Sequence, residues 1–456
     1  MTLTYQQVPY IENVAEVFSR FASLPWAVFL DSGRPHSQQG RYEIFSAFPK
    51  KTFLTQGKYT IIDSGGYQQV VPDDPFELLQ QELKNHVLEP CELPFSGGAL
   101  GYFSYDLGRR IEQVPNAAEN DTDIPEMAVG IYHWAYVVDH QEQKSMIVGD
   151  MSEPRVKLNW QDIINWVTAP EKFAQKEAYK STSIIKSNMT AKQYAEKFAV
   201  IKSYIGAGDC YQVNLAQRFM VNVEGDPWQG YMTLRKINPS PFAAYINIPG
   251  CNVLSVSPER FLRVNNNLVQ TKPIKGTRPR SQDKSKDNEL KEELKNSIKD
   301  RAENLMIVDL LRNDLSKCCE VNSVKVTKLF DVESFPTVHH LVSTIEGRLP
   351  KKTSLVELLR ESFPGGSITG APKIRAMEII EELEPHRRGL YCGSIGYIGF
   401  NRRMDTNIAI RTIIQKDDIA YFYAGGGLVW DSSLDEEYQE TYDKAAAMFK
   451  FFKQDL

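Results

Sequence analysis

MTAKQYAEKFAVIKSYIGAGDCYQVNLAQRFMVNV, residues 189–223, decides the fold class. Thr190 stands where a helix N-cap is wanted, apolar residues follow at helical spacing, and Gly206 and Gly208 mark the stop. The chain then turns directly into YQVNLAQRFMVNV, whose β-branched and aromatic residues alternate as in a strand. Further strand patterns follow at PFAAYINI, NVLSVS, RFLRV, NLVQTKPI, SVKVTKLF, GSIGYIGF, NIAIRTIIQ and IAYFYAGGG. Helical patterns fall at 285–312, 353–362, 372–383 and 433–453. Strands come in runs, without strict strand-helix-strand alternation, so the spacing predicts an α+β architecture and not a doubly wound sheet.

Upstream, WAVFL and MAVGIYHWAYVVD read as strands around the turn cluster DSGRPHSQQGRYE. The polar stretch 168–188 has few large apolar groups and reads as a linker. The expected organisation is therefore an N-terminal domain over 1–167, a linker over 168–188 and a second domain over 189–456.

The chain has 456 residues, 42% of them hydrophobic and 24% charged, with a net charge of -5, which is a globular profile without a basic footprint. Nucleic-acid binding as the main activity is thereby disfavoured. There is no run of 18 apolar residues and no basic-then-apolar start, so a cytoplasmic protein with no membrane span is expected. The six cysteines show no C-x-x-C spacing, which argues against a zinc cage or a disulfide framework.

Chemistry concentrates in the second half. TKPIKGTRPR, residues 271–280, holds Lys275 in a stiff Pro/Gly bend. Lys275 is either a solvated turn lysine or an amine in a dry pocket, where desolvation would make it nucleophilic. KDRAENLMIVDLLRNDL places Asp300 and Glu303 three residues apart beside a stripe of Leu305, Met306, Val308, Leu311 and Leu315. EEYQETYDKAAAMFKFF does the same with Glu437 and Glu440, and Lys444 lies one turn on. These are solvated acidic faces or, if they converge, hard oxygen ligands for Mg2+. FPGGSITGAPK (363–373) is either an ordinary helix start or an anion cradle built from its amides and the Ser367 and Thr369 hydroxyls. Arg411, inside NIAIRTIIQ, guards a strand edge or forks onto a carboxylate.

Taken together, SPERF (257–261), PIKGT (273–277), DRAENLMIVDLLRND (300–314), HHLVST (339–344), FPGGSITGAPK, CGSIGY (392–397), AIRT (409–412) and ETYDKA (440–445) resemble the chorismate-utilising enzymes. That family includes anthranilate, isochorismate and aminodeoxychorismate synthases. The resemblance extends more loosely upstream through GALGYFSYDLGRR. It implies large β-sheets packed in a sandwich flanked by helices. PIKGT resembles the aminodeoxychorismate branch, whereas the anthranilate branch carries alanine at the lysine position.

The resemblance implies that Lys275 adds covalently to chorismate and that Glu259 acts as acid/base. It implies Mg2+ held by Glu303 and Glu440, with Glu437 and Asp300 in support. His340, Thr369, Tyr391, Arg411, Gly426, Gly427 and Lys444 are implied to bind substrate. Gln212, where water-using relatives carry lysine, argues against hydration chemistry. No glutaminase nucleophile motif is present, so a separate glutamine amidotransferase subunit is implied as the ammonia source. Relatives also hold L-tryptophan near an N-P-S-P segment, which places Ser32, Arg41, Tyr42, Pro241 and Phe242 around such a pocket. Rival readings are an anthranilate-forming enzyme and a non-catalytic subunit that binds chorismate or tryptophan.

Overall fold

Inward-facing apolar residues of two antiparallel sheets meet in one layer. It includes Val28, Ile44, Leu100, Tyr102, Ala244 and Ile395. The computed structural model describes residues 2–37, 40–86, 91–170, 176–335 and 338–454. Among these, one sheet has thirteen strands and the other twelve. Helices Val14–Phe18, Trp160–Thr168, Pro227–Ile237 and Leu434–Phe451 cover the outer face of the first sheet. Helices Pro75–Lys84, Ile298–Ser316 and Leu355–Ser362 pack on the second. The α+β sandwich flanked by helices is therefore the observed architecture, because each sheet buries both faces.

The expected partition into 1–167 and 189–456 does not divide the core. Ala27–Asp31 pairs with Phe242–Ile248, with Leu30 opposite Ala244. In the other sheet Gly98–Phe103 pairs with Ser394–Gly399, with Leu100 opposite Tyr397. Both sheets thus run through both halves of the chain. The 168–188 segment, of which 171–175 lie outside the described residues, connects stretches of chain without separating two cores. Composition reports local solvent exposure and carries no information on long-range strand pairing.

Local signals behave as expected at residue 190. Thr190 accepts from the Gln193 amide in a capping box, and Gly208 closes the Ala191–Ala207 helix at φ +85°. Two differences matter. The helical pattern at 285–312 is two helices, Lys284–Asn296 and Ile298–Ser316, because Ser297 leaves helical geometry and caps the second. Leu305 faces solvent and Ile307 takes its place in the buried stripe. NIAIRTIIQ is not one strand either. Met404–Asn407 belongs to the second sheet and Thr412–Lys416 to the first. The chain crosses between sheets at 408–411, and Arg411 turns the corner at φ +50°. No helix among the described residues is long and apolar enough to cross a membrane.

A fully buried ionic cluster staples the Pro227–Ile237 helix to the first sheet. The Arg235 guanidinium donates to both Asp31 oxygens at 2.7 and 2.9 Å, and Tyr231 donates to Asp31 at 2.7 Å. Glu43 sits 4.0 Å from Arg235, accepts from Ser32, and has its carboxyl pushed well up by burial and by Asp31. Truncating Arg235 to leucine leaves these acids uncompensated and should cost about 3–5 kcal/mol, read from denaturant unfolding. Because both sheets are shared, residues 1–167 alone should show no cooperative thermal transition, whereas the whole chain should; calorimetry distinguishes the two.

Candidate active site

The lysine in the Pro/Gly bend faces the interior. Ile274–Pro279 pairs with Val338–Arg348, but the register slips between Ile274 opposite Val342 and Thr277 opposite His340. Lys275 and Gly276 occupy the resulting bulge. Gly276 has φ +79°, and a Cβ there would lie 2.8 Å from Asp300 Cγ and 2.9 Å from Leu294 Cδ1. Only glycine fits that approach. Burial lowers the pKa of the Lys275 amine; Glu303, Glu259 and Glu440 oppose the shift, and Lys444 adds to it. One amine thus has three carboxylates and a second amine as its electrostatic neighbours.

Glu259 is buried at the start of the Arg260–Asn265 strand. Ser367 donates its hydroxyl to Glu259 Oε1 at 2.7 Å. Burial raises the Glu259 pKa, while the Ser367 hydrogen bond, Lys275, the Ile274 amide and Lys444 pull it down. The adjacent Arg260 does not pair with it: its guanidinium binds Asp405 at 2.9 and 3.1 Å. Glu259 is therefore a shielded carboxyl with a raised pKa, the state suited to proton donation.

The acidic helix faces converge on the same space. Glu303, on Ile298–Ser316, has its pKa raised by burial, with Lys275, Lys299 and Glu440 among its charged neighbours. Glu440, on Leu434–Phe451, is paired to Lys444 at 2.5 Å, and Lys444 also donates to the Gly425 carbonyl. Glu437 is buried. Its Oε1 accepts from Ser432 at 2.6 Å, while its Oε2 has no hydrogen-bond partner among the described residues. Gly426 lies against this pair: a Cβ there would sit 2.9 Å from Glu437 Oε2 and 3.4 Å from Glu440 Oε1. Asp300 is turned elsewhere, onto Arg278 at 3.2 Å beneath Gly276.

No group of three His, Cys, Asp or Glu among the described residues is arranged to hold a metal ion. A magnesium ion does not demand one, since it takes one or two carboxylates and fills its octahedron with water and substrate oxygens. Glu303 and Glu440, with the orphaned buried Glu437 Oε2 beside them, supply hard oxygens of the required kind.

Other expected substrate ligands surround this centre. The ring of His340 shares a 2.8 Å hydrogen bond with Thr277, and burial beside Arg411 pushes its pKa down to about 3. Arg411 has no ion-pair partner among the described residues, burial lowers its pKa too, and it sits at the crossing between the sheets and not on a strand edge. Tyr391 stacks on Tyr423 at 5.1 Å. Gly427 lies under Gln212, whose buried amide has no partner among the described residues. Thr369 differs: its hydroxyl is spent on the Gly365 and Gly366 carbonyls at 3.1 and 3.3 Å. Trp430 is exposed and covers Lys202.

A separate cavity of about 650 Å3 lies between the sheets, with Arg41, Tyr42, Pro241, Phe242, Arg260 and Tyr397 in its wall. Ser32 is not in that wall. It is buried beneath Gly40, with its hydroxyl on Glu43.

Sequence reading overlooked Lys299, 3.8 Å from Glu437, and the Arg388–Glu384 pair behind Tyr391. The i, i+4 spacing of Glu384 and Arg388 was visible, but not its complete burial.

Residues 29–450 match the family model described as chorismate binding enzyme. The aminodeoxychorismate synthase component 1 of Escherichia coli K12 is 48% identical over 95% of this chain and 94% of its own length. The protein of that name from Bacillus subtilis 168 is 37% identical over 92% and 90%. Anthranilate synthase component 1 of Acetivibrio thermocellus is 35% identical over 96% and 92%. Among solved structures, anthranilate synthase component I from Streptococcus pneumoniae TIGR4 superposes with a TM-score of 0.80 at 32% identity, covering 90% of this chain and 93% of that one. An interior lysine, a buried acid and convergent glutamates, set in this sandwich and matched along nearly the whole chain, make the protein a member of the chorismate binding enzyme family.

Proposed function

We propose that the chain is the large subunit of an aminodeoxychorismate synthase, which converts chorismate and ammonia to 4-amino-4-deoxychorismate. The observation that carries this reading is Lys275 itself: an amine with a depressed pKa on a glycine bulge, beside a shielded acid. A neutral amine is a nucleophile at a pH where an exposed lysine is not. The Lys275 nitrogen bonds to C2 of chorismate while both conjugated ring double bonds shift toward C4 and the C4–O bond breaks. Glu259 gives its proton to the departing oxygen, which leaves as water. Ammonia then bonds to C4, both ring double bonds shift back, and the C2–N bond to Lys275 breaks. Each displacement is easier than a direct exchange of hydroxyl for amine.

In this reading Arg411, His340 and Tyr391 orient the substrate, and the Arg411 guanidinium, without an ion-pair partner among the described residues, supports a carboxylate contact. Glu303 and Glu440, with Glu437 in support, would hold Mg2+, which supplies positive charge to the ring carboxylate. Lys444 then exchanges its present partner Glu440 for substrate oxygens. Ammonia comes from a separate glutamine amidotransferase subunit in this reading, and the 650 Å3 cavity takes L-tryptophan, with Phe242 and Pro241 supplying apolar wall.

Purified chain supplied with chorismate, ammonium and Mg2+, together with a 4-aminobenzoate-forming lyase, should yield 4-aminobenzoate. Anthranilate fluorescence as the main signal would overturn the product assignment. Mass spectrometry of protein trapped with chorismate should find an adduct on the 271–280 peptide, and Lys275→Ala should remove the adduct and slow turnover. Glu259→Gln should lower kcat by roughly 10²–10⁴-fold while the chain stays folded. Chelation should suppress turnover and added Mg2+ restore it; activity indifferent to chelator would sink the metal assignment.

A further inference from the structure

The Gly-rich stretch 363–373 was expected to be an ordinary helix start or an anion cradle, and its geometry fits another role. The Gly366–Ile368 turn is fixed from several sides. A Cβ on Gly366 would lie 2.5 Å from Leu310 Cδ2, and one on Gly365 would lie 2.7 Å from Ile408 Cδ1. Thr369 ties the turn to itself through the Gly365 and Gly366 carbonyls. Arg388 donates to the Ile368 carbonyl at 3.0 Å, and its own guanidinium is locked by Glu384 at 2.7 and 2.9 Å. Apart from the partly exposed Leu310, these groups are buried. The one side chain that the turn extends toward the reacting centre is Ser367, whose hydroxyl reaches Glu259 Oε1.

The acid is held from its backbone as well. Glu259 donates its amide to Ser257 Oγ at 3.3 Å and accepts from the Ile408 amide at 3.0 Å. Ile408 is the residue whose side chain fills the space beside Gly365. Turn and acid therefore rest on common supports and cannot move independently without opening a void or an unpaired polar group.

We propose that Ser367 is the positioning residue of the catalytic acid: by donating to Glu259 Oε1 it fixes the carboxyl orientation and leaves the transferable proton to the other oxygen. This rests on the acid role given to Glu259 above. After the proton passes to the departing hydroxyl oxygen, the same hydrogen bond stabilises the carboxylate that remains. The charged and titratable groups facing Glu259 are Lys275 from the bulged strand, Lys444 from the C-terminal helix and Cys392 from the turn after Tyr391.

The test uses the whole chain with chorismate, Mg2+ and ammonium, with total ammonium adjusted so that free NH3 is constant across pH. Ser367→Ala should lower kcat about tenfold with KM for chorismate held, the size of one charge-assisted hydrogen bond. A hydroxyl donated to a carboxylate favours the ionised form, so its loss should move the alkaline limb of the rate profile to higher pH. Ser367→Thr, which keeps a hydroxyl, should retain the wild-type limb. In a Glu259→Gln background, Ser367→Ala should add no further loss, because the two residues act as one unit. An alkaline limb that does not move, or a full additional loss in the Gln background, would overturn the proposal. If the Ala variant does not fold, Ser367→Cys, a weak donor of similar size, gives the same readings. Product identity is scored separately: a chain that made anthranilate would overturn the synthase assignment and leave the Ser367 readings valid, since loss of the hydroxyl needs a proton in either reaction.

Discussion

A half-buried lysine amine, desolvated by the groups around it and set among carboxylates that do not neutralise it by direct contact, is the constraint on which the rest of this structure depends. A buried ammonium is costly unless paired, and pairing it tightly would remove its nucleophilicity. Among the described residues Lys275 makes no ion pair, yet Glu259, Glu303 and Glu440 all lie within its electrostatic reach. The balance leaves an amine that gives up its proton easily. The bulge at Gly276, packed directly over Asp300, holds that arrangement in place and ties it to the N-terminal turn of the helix bearing Glu303.

The sandwich explains how such distant parts of the chain meet. Lys275 and Glu259 come from the second sheet, Gly426 from the first, and the glutamates from two helices, Ile298–Ser316 packed on the second sheet and Leu434–Phe451 on the first. Arg411 stands at the point where the chain passes from one sheet to the other, and its positive φ belongs to that crossing. Because both sheets include strands from either half of the sequence, the site has no independent catalytic domain to sit in. The Asp31–Arg235–Glu43 cluster shows the same economy in the first sheet, where a buried ionic network joins a helix from residues 227–237 to strands from residues 27–46.

Some of the site was legible in residue types and spacings. The i, i+3 glutamates, the glycine after Lys275 and the apolar helical stripes each obey local rules, and local rules survive into the fold. Leu305 is the instructive miss: it has the spacing of the stripe but falls just outside the sector that the second sheet covers. Thr369 is another. Its hydroxyl was available for a ligand by composition, and the backbone of its own turn claims it. NIAIRTIIQ alternates as a strand should, but alternation cannot say that one half belongs to one sheet and the rest to the other.

The amino-acid sequence by itself determined the α+β class and the helix boundaries near residues 190, 355, 373 and 434, because these follow from capping and periodicity within a few residues, whereas roles for Glu259, Lys275 and the glutamates were implied only by the resemblance of their motifs to a family. Only the tertiary structure decided that Lys275 is half-buried and desolvated by its neighbours, that Asp300 is claimed by Arg278, and that Ser367 reaches Glu259 across 108 positions of chain. Those outcomes depend on which surfaces are desolvated together, and desolvation is a property of packing between distant segments.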